Sequence, residues 1–278
     1  MGHIARGWLW KVLLGSVLLL VLGIAVGGEL SQSDNDVKAY RNEEAELGPK
    51  IRILNYHKVD DMHISLSILP DDFERQIAWF ANEGFHSISP DELYAALTEG
   101  APLPEKSVLI TFDDGYADNY ENAYPILKKY GFKATIFVVA GFVGEKPHYI
   151  TWEQAREMEA NGISIESHTM THRSMTELSD DQLKEELTAS KAFIEAKLNK
   201  KVHYFAYPTG TYNLHIAELA RAAGYRAAFT IKNGNTDLGS NLYAIERIPI
   251  FHTVDTEADF QKRMRYVPLF EKYGWTKR

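Results

Sequence analysis

The chain has no cysteine, and this absence excludes several kinds of site and fold at once. Without cysteine there is no disulfide scaffold, no Cys-ligated zinc site, no thiol nucleophile and no lipid anchor on a cysteine. Positive charge is also scarce: 30 Lys and Arg residues stand against 38 Asp and Glu residues, and the formal net charge is −8. Because general nucleic-acid binders carry a basic surface, we predict no nucleic-acid partner. The chemistry must come from His, Asp, Glu and backbone groups.

A long hydrophobic run stands out only near the N-terminus. Residues 12–28 hold no charged side chain and follow Arg6 and Lys11. This pattern is typical of a signal peptide, with small residues at 25–27 for cleavage. Residues 8–26 are also long enough for a retained transmembrane anchor. We predict a membrane anchor or signal peptide over residues 1–28, with membrane contact through residues 8–28. Either one leaves the rest of the chain extracytoplasmic, anchored to the cell membrane or secreted.

The remaining chain divides into a linker and one folded domain. Residues 29–50 are polar, acidic and almost free of large apolar side chains, as in a tether. Residues 51–278 form the predicted catalytic domain, in which β-rich runs alternate with segments of helical period. This alternation predicts an α/β fold with a parallel sheet, either doubly wound or closed into a barrel. Strands are predicted at 51–56, 86–89, 107–112, 134–139, 163–166, 203–206, 227–231 and 243–250, and helices at 71–82, from 90 onward, and at 116–130, 152–161, 180–199, 214–223 and 256–265.

The clearest chemical signal is the pair Asp113 and Asp114 in the segment TFDDG, directly after an apolar strand. The carboxyl ends of parallel strands are where active sites of α/β folds are built. Adjacent carboxylates repel each other, so the pair needs a cation or hydrogen-bond donors. Taken alone, the segment is equally compatible with an Asp-Gly turn.

Two further segments also follow predicted strands. SHTMTH places His168 and His172 four residues apart, a spacing that can serve one metal ion, although two polar loop histidines explain it better in isolation. Together with the carboxylates they make a two-His, one-carboxylate set, which suits a catalytic metal more than a structural one. AYPTG, at 206–210, is either a plain turn or a loop whose backbone N–H groups receive an oxyanion.

In this order, TFDDG, SHTMTH and AYPTG resemble the motifs of the polysaccharide deacetylases, carbohydrate esterase family four, over about residues 51–253. The resemblance implies a distorted (β/α) barrel of about seven parallel strands. It also implies a divalent metal, usually Zn²⁺, with Co²⁺, Ni²⁺ or Mn²⁺ as alternatives. By the same resemblance Asp113 is the general base, Thr209 lends its backbone N–H to the oxyanion, and the metal ligands are Asp114, His168 and His172.

The sequence departs from the family pattern in two places. Ala206 stands where the family usually has an Arg that orients the base, and no Leu-x-His segment near the C-terminus supplies the acid. The segment NYH at 55–57 instead resembles the poly-N-acetylglucosamine deacetylases, in which the first strand is permuted from the end. This implies His57 as the general acid, with His252 as the alternative. Arg247 either replaces the missing Arg or serves as a helix cap or surface salt bridge.

The predicted function is a metal-dependent hydrolase that removes N-acetyl groups from N-acetylglucosamine units of an extracellular, biofilm-type polysaccharide. A metal-activated water is the nucleophile, an Asp the base and a His the acid. The alternatives are an O-acetyl esterase on acetylated glycan, a peptidoglycan deacetylase and, disfavoured by the intact motifs, a silent glycan-binding protein. The expected partner is acetylated polysaccharide, with no obligate protein partner. We interpret helix 180–199 as a solvated charged face, and four aromatic residues as core positions with sugar stacking as the alternative: Tyr116, Trp152, Tyr207 and Tyr212.

Overall fold

Seven parallel strands close into a barrel in this computed structural model, which describes residues 51–251 and 257–272. The ring runs β1-β10-β9-β8-β7-β6-β5 and closes through pairing of β5 with β1, while β4 pairs with β5 outside it and β2 pairs with β3. The predicted barrel is therefore confirmed. The strands are β1 (Arg52–Tyr56), β2 (Lys58–Val59), β3 (Ser67–Ile68), β4 (His86–Ser87), β5 (Ser107–Asp114), β6 (Ala134–Val138), β7 (Ile163–Ser167), β8 (Tyr204–Ala206), β9 (Ala227–Asn233) and β10 (Ile245–Pro249).

Helices connect most of these strands, as parallel pairing requires. They are α1 (Pro70–Asn82), α2 (Pro90–Glu99), α3 (Tyr124–Tyr130), α4 (Trp152–Ala160), α5 (Asp180–Leu198), α6 (Leu214–Ala222) and α7 (Glu257–Lys272). A π-helical turn spans Asn119–Ala123, and 3₁₀ turns span Met175–Glu177 and Pro208–Gly210. The predicted helix over 116–130 thus begins later and in π geometry.

Local capping signals were read correctly at one helix and wrongly at another. At α2, Ser89 accepts a hydrogen bond from the Glu92 backbone at 3.2 Å, and the Glu92 carboxylate accepts one from the Ser89 N–H at 2.7 Å. The predicted capping box of Asp71 with Glu74 is wrong, because α1 begins at Pro70 and its N-cap residue, Leu69, makes no side-chain cap. Proline at the first helical turn starts this helix instead.

Two apolar clusters follow from the alternation of side chains along each strand. One fills the barrel interior and includes Ile53, Leu109, Phe137, Phe229 and Ile245. The other lies between the barrel and the helices and includes the alternate strand positions, such as Leu54 and Ile110. Toward the carboxyl ends of the strands, polar side chains succeed the inward-facing apolar ones. They are Asn55 on β1, Thr111 and Asp113 on β5, and Arg247 on β10, and all are buried.

Part of the predicted organisation lies outside the described residues. This applies to the anchor or signal segment at 1–28, the linker at 29–50 and His252, which all stay predictions. In the portion that the structure describes, no helix is both long enough and apolar enough to cross a bilayer.

Candidate metal and catalytic site

The carboxyl ends of the barrel strands meet at one rim, because all the ring strands run parallel. Tyr56 at the end of β1 is in register with Phe112 on β5, and Asp114 on β5 with Val138 on β6. Val138 is in turn in register with Ser167 at the end of β7, and Ser167 with Phe205 on β8. The three sequence motifs therefore lie at the same rim, next to the end of β1.

Asp114, His168 and His172 form a compact donor set at this rim. One ligand atom from each residue lies within 4.8 Å of the others. The Oδ1 atom of Asp114 is 3.1 Å from Nε2 of His172 and 3.5 Å from Nε2 of His168. Two imidazole nitrogens and one carboxylate oxygen that converge in this way match the ligands that a catalytic zinc site uses.

The orientation of His168 supports the same interpretation. Its ring is almost fully buried, and Nδ1 lies 2.8 Å from the carbonyl oxygen of Ala206, so Nδ1 carries the proton and Nε2 keeps its lone pair. Burial lowers the pKa of His168, although the Asp113 and Asp114 charges act in the opposite direction. A neutral ring with a free Nε2 is the form of histidine that binds a metal. The residues present therefore fit a divalent ion.

The backbone around these ligands is unusual. Asp114 has a φ of +74°, and Thr169 and His172 have φ values of +68° and +60°. The left-handed conformation costs about 1–2 kcal/mol per residue for side chains other than glycine. Gly115, which follows Asp114, could not carry a Cβ, since that atom would lie 2.9 Å from Val138. Strain of this kind concentrates at functional sites and persists only where the surrounding structure enforces it.

Asp113 lies next to the donor set but faces a different group. Its carboxylate is 1% exposed and accepts two parallel hydrogen bonds from Arg247, Nη1 to Oδ1 and Nη2 to Oδ2, each 2.7 Å long. The Nδ2 atom of Asn55 donates a third, at 3.0 Å to Oδ2. Burial alone would raise the pKa of Asp113, but the charges of Arg247 and His168 overcome it and hold the pKa well below its usual range. The carboxylate is therefore kept charged and fixed.

Arg247 is fully buried, which rules out the surface salt bridge and the helix cap that the sequence left open. Its Nε donates to the carbonyl of Thr230 at 2.7 Å, and Nη1 also donates to the Thr111 hydroxyl at 3.1 Å. All three guanidinium nitrogens thus have acceptors, and the bidentate geometry fixes the carboxylate plane. In space, Arg247 occupies the position of a guanidinium beside Asp113, where Ala206 offers no charged group.

His57 follows β1 and is half-buried at the same rim. Its charge lowers the pKa of both Asp113 and Asp114, so the ring lies near both carboxylates. The Nδ1 atom is buried and has no hydrogen-bond partner among the described residues. Asn119 fixes the backbone here, since its Nδ2 donates to the His57 carbonyl at 2.8 Å. Unsatisfied buried ring nitrogens are uncommon and are typical of groups with a functional partner.

Thr209 lies in the 3₁₀ turn Pro208–Gly210 after β8, with a φ of +57° and an exposed side chain. Gly210 next to it has a φ of +70°, and a Cβ there would collide with Ile231. The chain therefore turns sharply at the end of the strand whose Ala206 carbonyl receives the His168 proton. The structure brings the Thr209 backbone to the rim that carries the histidines.

A cleft of about 710 Å³ opens beside Tyr116, which follows the TFDDG segment. Tyr149 stacks on Tyr116 with ring centroids 5.1 Å apart, and both rings border the cleft. Burial and the Asp114 charge raise the pKa of the Tyr116 phenol, which places this ring next to the donor set. Of the other aromatic candidates, Trp152 and Tyr207 are buried core residues, as predicted, and Tyr212 is half-buried against Tyr207.

Two residues at this site were missed by sequence reasoning. Asn55 received no role, although its position two residues before His57 puts it on the same face of β1. Glu186 lies on helix 180–199, which we interpreted as a solvated charged face. That interpretation is wrong at this residue, because Glu186 is 8% exposed and accepts hydrogen bonds from the SHTMTH loop. No signal in the sequence distinguishes it from the neighbouring acids.

Comparison with known proteins now gives the family. The polysaccharide deacetylase family model matches residues 100–228. YxkH of Bacillus subtilis (strain 168), described as a polysaccharide deacetylase, is 36% identical over 222 residues, which are 80% of this chain and 78% of that protein. The poly-beta-1,6-N-acetyl-D-glucosamine N-deacetylase of Staphylococcus aureus (strain MRSA252) is 29% identical over 272 residues, covering 86% of this chain and 91% of that protein.

A solved structure shares the fold. The deacetylase PplD of Streptococcus pyogenes, solved in complex with acetate, matches with a TM-score of 0.72 at 33% identity, over 76% of this chain and 97% of that chain. With a relative above one-third identity over most of the chain, the assignment covers the whole barrel rather than one motif. The chain belongs to the polysaccharide deacetylase family and is a hydrolase of the deacetylase type.

Proposed function

We propose that the protein removes N-acetyl groups from N-acetylglucosamine units of an extracellular polysaccharide similar to poly-N-acetylglucosamine. The observation that carries the proposal is the pair of adjacent carboxylates with separate partners. Asp114 faces His168 and His172, whereas Asp113 is held by Arg247. The Staphylococcus aureus relative, by its name, acts on poly-beta-1,6-N-acetyl-D-glucosamine, which supports the polymer. Since such a polymer lies outside the cell, we place the enzyme outside the cytoplasm, anchored or secreted.

In this proposal Asp114, His168 and His172 hold a divalent metal, with Zn²⁺ favoured by the two-imidazole donor set. When bound, such an ion polarises the acetyl carbonyl and makes a nearby water molecule more acidic. The burial of Asp114 and His168 limits competing solvent around the donor atoms. The half-buried His172 leaves the site open toward the substrate.

Asp113 acts as the general base in the proposed mechanism. Its carboxylate accepts a proton from the water molecule as that water attacks the acetyl carbon. Arg247 and Asn55 fix the plane of the carboxylate, so the carboxylate does not need to reorient during the reaction. The Thr209 backbone N–H stabilises the oxygen that gains negative charge, an interaction of about 3 kcal/mol in comparable sites.

His57 acts as the general acid. An amide releases its amine only if the nitrogen is protonated, because a free amide anion is a very poor leaving group. His57 lies near both carboxylates and has a buried ring nitrogen without a protein partner in the described part of the chain. We propose that it donates the proton to the departing nitrogen, with neighbouring sugar units resting in the cleft beside Tyr116 and Tyr149.

The direct test is acetate release from three polymers: poly-N-acetylglucosamine, peptidoglycan and acetylxylan. We expect release from poly-N-acetylglucosamine, its loss after treatment with a chelator, and recovery on addition of Zn²⁺. Release from peptidoglycan alone would make the enzyme a peptidoglycan deacetylase, and release from acetylxylan alone would make it an O-acetyl esterase. Turnover that survives complete metal removal would contradict the proposed metal site, and no turnover on any polymer would favour a glycan-binding protein.

Removal of a proposed metal ligand should lower metal affinity and activity together. We expect Asp114→Ala, His168→Ala and His172→Ala each to reduce Zn²⁺ affinity at least about tenfold, since even outer partners of metal ligands contribute that much. Elemental analysis after dialysis measures the occupancy. His86→Ala is the control, because His86 is exposed on β4, which pairs with the opposite end of β5. Full occupancy in the three variants would refute the ligand assignment.

A further inference from the structure

Glu186 on α5 lies beneath the loop that carries both histidines. Its Oε2 accepts hydrogen bonds from the backbone N–H groups of Met170 at 2.8 Å and Thr171 at 3.0 Å. Its Oε1 accepts a bond from the Thr171 hydroxyl. A single buried carboxylate therefore binds the two residues between His168 and His172 in the middle of the loop.

A second contact ties the same helix to the start of this loop. Ser190, one helical turn beyond Glu186, lies with its hydroxyl 2.9 Å from that of Ser167, the residue before His168. The Ser190 hydroxyl also donates to the Glu186 carbonyl at 2.7 Å. Helix α5 thus fixes the loop at two points, one before the first histidine and one between the histidines.

The loop has a physical need for such support. Two of its residues, Thr169 and His172, have left-handed backbone conformations. Their cost must be offset by contacts that favour this conformation over relaxed alternatives. Without the Glu186 carboxylate, two backbone N–H donors would lose their acceptor, which costs about 1–3 kcal/mol for a buried group. A relaxed loop would no longer keep the two imidazoles at one fixed separation.

We propose that Glu186 is a positioning residue for the metal site: it fixes the loop so that His168 and His172 converge on the oxygen of Asp114. This inference rests on the metal site of the proposed function. Glu186 touches neither the metal ligands' ring nitrogens nor the substrate cleft, so its effect on catalysis passes through metal affinity. Its loss should therefore be compensated by excess metal.

The test compares Glu186→Ala, Glu186→Gln and the control Glu185→Ala, in which an exposed acid on the same helix is removed. Apparent Zn²⁺ affinity of the metal-free full chain is measured by competition with a chromogenic chelator. We expect about 10–100-fold weaker binding in Glu186→Ala, the cost typical of losing a partner that orients a metal ligand. Glu186→Gln should stay close to wild type, because its carbonyl can accept both N–H groups while its amide donates to the Thr171 hydroxyl. Glu185→Ala should be unchanged.

Two readouts separate positioning from general stability. Hydrogen exchange in the metal-free protein should increase at Met170 and Thr171 in Glu186→Ala, without a matching increase in the barrel strands. Turnover of this variant at saturating Zn²⁺ should approach wild type. Wild-type affinity in Glu186→Ala, or exchange that increases throughout the barrel, would overturn the inference.

If Glu186→Ala does not fold, Glu186→Asp replaces it, since the shorter side chain withdraws the carboxylate while it keeps the charge. Undiminished Zn²⁺ affinity in Glu186→Asp would overturn the inference as well. A wild-type chain that binds no Zn²⁺ would instead refute the proposed metal site itself. The two failures are therefore distinguishable.

Discussion

Asp113→Asn is expected to lower turnover about 10²–10⁴-fold while Zn²⁺ affinity stays close to wild type, the range that a positioned general base contributes. The amide cannot accept the proton of the attacking water. Asp113 is not part of the donor set formed by Asp114, His168 and His172, so metal content should persist. Acetate release and elemental analysis on the same preparation measure the two quantities together.

The same substitution has a structural cost that must be separated from its chemical one. Arg247 is fully buried, and loss of the Asp113 charge leaves its guanidinium without a counter-ion. Removing one partner of a buried ion pair typically costs about 3–5 kcal/mol of stability. The double variant Asp113→Asn with Arg247→Met removes both charges and should recover much of that stability. It should not recover turnover.

Two outcomes would contradict the role of Asp113. Near wild-type turnover in Asp113→Asn would show that another group removes the water proton. Recovery of turnover together with stability in the double variant would show that Asp113 serves only to neutralise Arg247. Metal loss as severe as in Asp114→Ala would place Asp113 among the ligands instead.

His57→Ala should impair amide substrates about 10²–10⁴-fold and an activated aryl acetate far less. An aryl oxide leaves without protonation, whereas an amine does not. The comparison uses an N-acetylglucosamine oligomer and an aryl acetate with the same enzyme preparation. Because both substrates share the proposed base and metal, the ratio of the two rates isolates proton donation to the leaving group.

His252→Ala is the matched control for this experiment. His252 is the alternative acid from the sequence and lies outside the described residues. We expect both of its rates to remain near wild type. A selective amide defect in His252→Ala would transfer the acid role to that residue, and equal losses on amide and ester in His57→Ala would mean that His57 only shapes the site.

Much of the barrel could be predicted because its signals are local. Apolar strand runs, helical periodicity and the Ser89 capping box each depend on residues close in sequence. The donor set could also be predicted, since each motif directly follows a strand and parallel strands end at one rim. The π-helical start of the segment before α3 could not, because it depends on packing around Asn119 rather than on periodicity.

The partners of the motif residues were harder to predict because they are distant in sequence. Arg247 is 134 residues from Asp113, and the sequence left its role open between a buried and a surface position. Glu186 is one of several acids on α5, and only the approach of the loop to that helix buries it. Pairwise burial of charge is set by tertiary packing, which a single sequence does not reveal.

The position of β1 between β5 and β10 has a consequence for how this protein folds. β1 pairs with β5 through Asn55 and Thr111, and with β10 through Leu54 and Ile248. The first long strand of the described chain thus waits for the last one, a high-contact-order arrangement that slows folding. During synthesis Asp113 emerges long before Arg247, and its carboxylate cannot be buried cheaply without that counter-ion. Closure of the ring and completion of the Asp113–Arg247 pair should therefore be a single late step, so that a chain becomes compact only when it also becomes competent for catalysis.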